Sequence, residues 1–179
     1  MDGLSKSAAK AALTVIVISA SSKLLGLVRE SVFASTFGAT AGTDAYKIAF
    51  GIPYMLLAWV TASIATTFIP VYAGYLRSRN REESLRFLNN LFTLTALVSV
   101  LICGSGMFFS PALVRLAAPG FNSATYGLAV ELTLILLPSL IFVALSNLSA
   151  GFLQSSGRFT PAAFVWIPYN LIGVMFFTR

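Results

Sequence analysis

The 179-residue chain has no histidine, a single cysteine and only six acidic residues. Without histidine, imidazole acid–base chemistry and most zinc sites are excluded. The lone thiol, Cys103, cannot close an internal disulfide; it lies in an apolar run and reads as a packing residue. Charge is scarce throughout, at 10% of residues against about 25% in an ordinary soluble domain. A chain of this size must still cover itself with polar surface in water, so a soluble globule is excluded. Also missing are a phosphate-cradling glycine loop, a nucleophile elbow and a cluster of metal ligands. The "GSG" at 104–106 sits in an apolar stretch without that context. No enzymatic activity, metal or cofactor is expected, and ATP hydrolysis within this chain is not expected either.

What is present is apolar. Such residues make up 57% of the chain, and its mean hydropathy is +0.84. The expected fold class is an all-α polytopic membrane protein, since a spanning helix needs about 20 mostly apolar residues and about five such segments can be read. They run over 8–37, 44–76, 87–117, 128–153 and 161–178. The first is too long for a cleavable signal and lacks a cleavage context, so it reads as a retained membrane helix. Pro53 and Pro70 fall inside the second segment and Pro138 inside the fourth, where each predicts a kink. Asn147 predicts an interhelical hydrogen bond. Trp59 and Trp166 read as interface anchors or packing residues. The fifth segment reaches the last residues with no polar tail, which predicts the N-terminal part of a longer polytopic protein.

The net charge of +6 reads as a topology signal and not as nucleic-acid binding. Lys6, Lys10, Arg77, Arg79, Arg81, Arg86 and Arg158 collect on one side of the spans. The other side has Arg115 and little else before Arg179. This asymmetry predicts a cytoplasmic N-terminus. The basic loop at 77–86 can also hold anionic lipid headgroups.

Charge inside the first segment asks for a different reading. At about 100° per residue, Ser19, Ser22, Lys23, Gly26, Arg29 and Glu30 share one third of the helix circumference, while Leu24, Leu25, Leu27 and Val28 fall outside it. A charge at the bilayer centre costs about 2.5–3.5 kcal/mol on insertion scales, so the stripe is expected to face protein or a watery cavity. A second stripe joins Asp44, Lys47, Gly51, Tyr54, Ala58, Ala62 and Ala65, with Asp44 and Lys47 spaced to pair. Simpler roles exist for these charges. Arg29 and Glu30 can snorkel to headgroups, and Asp44 with Lys47 can fix a turn. Lys23, midway along its helix, fits those roles least and points to a cationic cavity suited to a phosphate or pyrophosphate. Glu131 reads either as a counter-ion for such a cation or as a capping or interfacial acid.

"SSKLLGLVRE", "FGATAGTDAYKIAFGIPYML", "FIPVYAGY", "APGF" and "FLQSSGRFTPAA" follow one another in an order that resembles the N-terminal part of the MurJ (MviN) family of lipid II flippases, over essentially the whole chain. The resemblance implies the first part of a fourteen-helix, two-lobed exporter fold, here lacking the second lobe. It also implies movement of an undecaprenyl-pyrophosphate-linked peptidoglycan precursor between leaflets of the bacterial inner membrane by alternating access. By the same resemblance Ser22-Lys23 stands at the family's Ser-Arg, Arg29-Glu30 at its Arg-Asp and Thr43-Asp44 at its Thr-Asp. Lys23 and Arg29 are then the expected substrate ligands, and Glu30, Asp44 and Lys47 the gating or charge-pairing residues. Leu57 and Thr61-Ala62 depart from the family, which carries an Arg and then Glu-Gly there. The implied partners are the anionic lipid-linked substrate, membrane lipids and cell-wall synthesis proteins. The alternatives are a related exporter of another polyprenyl-linked glycan or a drug, and a non-transporting membrane scaffold.

Overall fold

The computed structural model describes residues 2–77, 81–156 and 166–178, and every element among them is helical. They fall into two compact units. The two ends of the chain, 1–38 with 156–179, make one, and 39–155 make the other.

The first unit pairs α1 (Asp2–Phe37) with α8 (Trp166–Phe177). At 36 residues, α1 begins earlier than the hydrophobic pattern predicts and exceeds the length needed to span a bilayer. It stops at Gly38, whose φ of +64° is left-handed and whose N–H donates to the Ala34 carbonyl at 2.9 Å. Glycine ends helices this way because a Cβ is strained in that conformation. A Cβ at Gly38 would meet no heavy atom within 4 Å, so the cost of adding one is confined to the backbone. Gly38→Ala should therefore lower stability by about 1 kcal/mol, read as a lower thermal midpoint in detergent, and Gly38→Asn should recover most of it.

The second unit holds α2 (Ala41–Ser63), a π turn (Ile64–Phe68), α3 (Ile69–Arg77), α4 (Arg81–Phe108), α5 (Ser110–Ala117), α6 (Ser123–Leu136) and α7 (Ser139–Ser155). Thr40 starts α2: its hydroxyl accepts from the Thr43 N–H at 3.2 Å and bonds the Thr43 hydroxyl at 3.0 Å, as an N-cap does. Proline sets the interruptions. Pro70 lacks the N–H that would meet the Thr66 carbonyl, and the turn before it widens to π. Pro111, in the first turn of α5, accompanies the break at Phe109. Pro138 separates α6 from α7, and the two halves meet at a bend of 47°. Among the described residues Ala41–Tyr75 and Glu82–Phe108 are long and apolar enough to cross a membrane, and α6 with α7 adds a third if the bent pair counts as one span, by length and composition.

Small residues bring these helices together. Ala45 and Ala49 on α2 and Ala129 on α6 are fully buried where those helices pack, and close backbone approach through small side chains is how helices associate in lipid. Around them lie Ile52, Leu57, Cys103, Val114, Leu137 and Leu140, so Cys103 is a packing residue. At Gly106 α4 passes close by: a Cβ there would come 3.1 Å from Leu137 and 3.2 Å from Leu56, so those side chains would have to give by a few tenths of an ångström. A second cluster stacks Phe68, Tyr72, Phe87 and Phe152 around Leu88 and Leu148. Leu94, Leu97, Leu101, Ile135 and Phe142 face outward, as side chains bathed in hydrocarbon do. This is an all-α multi-pass membrane protein.

Candidate functional site

The polar stripe on α1 divides in two. At about 100° per residue, Ser22, Gly26, Arg29 and Phe33 cluster on one side, in a four-three-four spacing that makes a seam for a neighbouring helix. The neighbour is α8. Asn170, buried, donates from Nδ2 to the Ser22 carbonyl at 3.2 Å. Gly26 lies against the same amide, with Asn170 Oδ1 3.7 Å from where its Cβ would be. One turn on, the Arg29 stem crosses Gly173 so closely that a Cβ there would sit 2.7 Å from Arg29 Cδ. The Arg29 guanidinium carbon stands 5.0 Å from the centre of the Tyr169 ring. The seam closes on three rings: Phe33 and Phe37 lie 5.1 and 5.9 Å from Phe177. Beside them the Thr36 hydroxyl donates to the Phe177 carbonyl at 3.0 Å.

Lys23 and Glu30 stand on the open edge of the stripe, both exposed. Among the described residues Lys23 makes no hydrogen bond or ion pair. Arg29 is half-buried and likewise makes no ion pair among them. A cation over a ring is attracted to the ring face without its charge being neutralised.

In the second unit Asp44, Lys47, Gly51, Ala58 and Ala62 are exposed along α2 and Tyr54 is half-buried. Their opposite face supplies the core alanines. Asp44 lies in the first turn of α2, where a carboxylate complements the helix dipole, and among the described residues it makes no ion pair. Leu57 is 2% exposed and sits inside the apolar core. Thr61 accepts a hydrogen bond from Asn147 Nδ2 at 3.2 Å, the interhelical bond that an amide in that segment predicts. Glu131 is exposed in mid-α6. Asn122 caps that helix, its side chain accepting from the Thr125 N–H at 2.9 Å, so Glu131 is no cap. The side chains of Trp59 and Trp166 lie outside the described residues, as do those of Lys6, Lys10, Arg77, Arg79, Arg81 and Arg158.

Sequence reasoning missed Tyr169 and Gly173. Their signal is the spacing of Tyr169, Asn170, Gly173 and Phe177, which places polar, small and aromatic residues on one side of an otherwise apolar helix.

The family model described as lipid II flippase MurJ matches residues 33–178. A probable lipid II flippase MurJ of Rickettsia prowazekii (strain Madrid E) is 34% identical over 87% of this chain and 31% of its own length. One from Buchnera aphidicola subsp. Acyrthosiphon pisum (strain APS) is 31% identical over 94% of this chain and 34% of its own. The lipid II flippase MurJ of Burkholderia cenocepacia is 28% identical over 90% and 32%. The chain spans about a third of the length of these curated relatives.

Proposed function

Because this chain belongs to the MurJ family of lipid II flippases, we propose that it supplies part of the transport path of such a flippase. The cargo in this reading is the undecaprenyl-pyrophosphate-linked peptidoglycan precursor, moved from the inner to the outer leaflet by alternating access. The work is transport: no covalent bond of the cargo is made or broken, and no cofactor is required. Lys23 and Arg29 bind the pyrophosphate, while Glu30, Asp44 and Lys47 pair with charges or gate the path. The N-terminus lies in the cytoplasm. Membrane lipids and cell-wall synthesis proteins are its neighbours.

The observation that carries this reading is the placement of two cations on one stripe of a membrane helix, neither of them neutralised by a carboxylate among the described residues. Uncompensated positive charge at such a place is costly and is sustained where an anion visits. The test is translocation in vesicles. The complete gene product, reconstituted with fluorescent lipid II in one leaflet, should speed its appearance in the other at least tenfold over protein-free vesicles. A rate equal to the blank would remove the transport reading and leave a scaffold.

A further inference from the structure

We infer that Tyr169 and Gly173 of α8 are positioning residues that hold the Arg29 guanidinium at one fixed place for the anionic group of the cargo. The inference rests on the reading of Arg29 as a pyrophosphate ligand and deepens it. An arginine side chain is long and has much rotamer entropy to lose on being fixed. A free arginine on a helix face would lose it each time an anion bound. Here the loss is met in advance, because the stem lies along a residue with no side chain and the charged head stands over a ring.

The choice of residues fits that task. A carboxylate would also fix the head, but it would occupy N–H donors and cancel the charge that the cargo must meet. A ring attracts the cation through its face and leaves the charge unneutralised for the phosphate bonds that an arginine fork forms. A Cβ at 173 would meet the Arg29 stem at Cδ and Cγ, so any larger residue there would force the stem to shift. The buried Asn170 bond to the Ser22 carbonyl, one turn away, fixes α8 against α1 so that ring and stem meet in one alignment.

The experiment measures binding of undecaprenyl pyrophosphate, as probe, to the complete gene product in nanodiscs. Tyr169→Leu and Gly173→Ala should each raise Kd about fivefold, within the range of a partly desolvated cation–ring contact. Tyr169→Phe, which keeps the ring face, should restore what Tyr169→Leu loses. In an Arg29→Ala background neither Tyr169→Leu nor Gly173→Ala should change Kd further, because residues acting through one group are non-additive. Thermal midpoints are taken in parallel, and if Gly173→Ala does not fold, Tyr169→Leu carries the test. Equal losses with and without Arg29 would make the two residues merely structural and overturn the inference. So would wild-type Kd in both variants while Arg29→Ala binds weakly. Wild-type Kd in Arg29→Ala itself would instead remove the ligand role of Arg29, and the positioning role with it.

Discussion

Cells depleted of their own lipid II flippase should fail to grow on the complete gene product carrying Lys23→Ala or Arg29→Ala, although each variant reaches the membrane at the wild-type level. Lys23 is exposed and makes no bond among the described residues, so truncating it removes charge and almost no packing. Arg29→Ala also gives up the stem over Gly173 and the head over Tyr169, a loss on the order of 1 kcal/mol at a half-exposed site. Neither change is large enough to unfold a protein with about 5–15 kcal/mol of stability. In the proposed reading each also removes a charge-assisted bond to phosphate, worth roughly 1.5–3 kcal/mol, or about tenfold to a hundredfold in affinity. Arg29→Lys keeps the charge without the planar fork and should rescue partially. Growth assays with immunoblots of the membrane fraction read both quantities, and full rescue by both alanine variants would sink the assignment of these cations to the cargo.

The second large effect belongs to Leu57→Arg. The family resemblance puts an arginine at this position, so the change looks like a repair. The structure says otherwise. Leu57 is 2% exposed among Ile52, Cys103, Leu137 and Leu140, and a guanidinium there would be buried without a partner. The effective penalty for an unpaired buried ion is several kcal/mol, a large part of the whole stability. Leu57→Arg should therefore drop the membrane level of the protein severalfold and lower its thermal midpoint more than Leu57→Ala, which costs about 2–5 kcal/mol. Leu57→Met conserves volume and should cost under about 1.5 kcal/mol. Normal levels of the Leu57→Arg protein would show that this part of α2 opens to water.

The helices were legible because apolar length and proline placement act locally. Pro138 announces its bend, and Asn147 announces a bond across helices, since an amide in hydrocarbon needs a partner. The angular stripe on α1 was legible for the same reason, its geometry being fixed by helical period alone. What the stripe faces was not. Its division into a seam of Ser22, Gly26 and Arg29 and an open edge of Lys23 and Glu30 depends on α8, more than a hundred residues away in sequence. No local rule names that partner. The break at Phe109 hid inside one continuous apolar segment, because hydropathy measures greasiness and not backbone direction. Glu131 suggested a helix start because the predicted start fell too late; the cap is Asn122, the kind of residue whose side chain competes for backbone N–H groups.

The contacts between α1 and α8 act as a vernier. Lipid offers helices no hydrophobic reason to prefer one sliding position over another, so the notches themselves must choose. A slip of a single residue moves a helix by about 1.5 Å and turns it by about 100°. Asn170 would then leave the Ser22 carbonyl, the Arg29 stem would ride up on a bulky neighbour of Gly173, and Phe177 would lose its two rings, all at once. One alignment satisfies every notch, and the depth of each helix in the bilayer is thereby tied to that of the other.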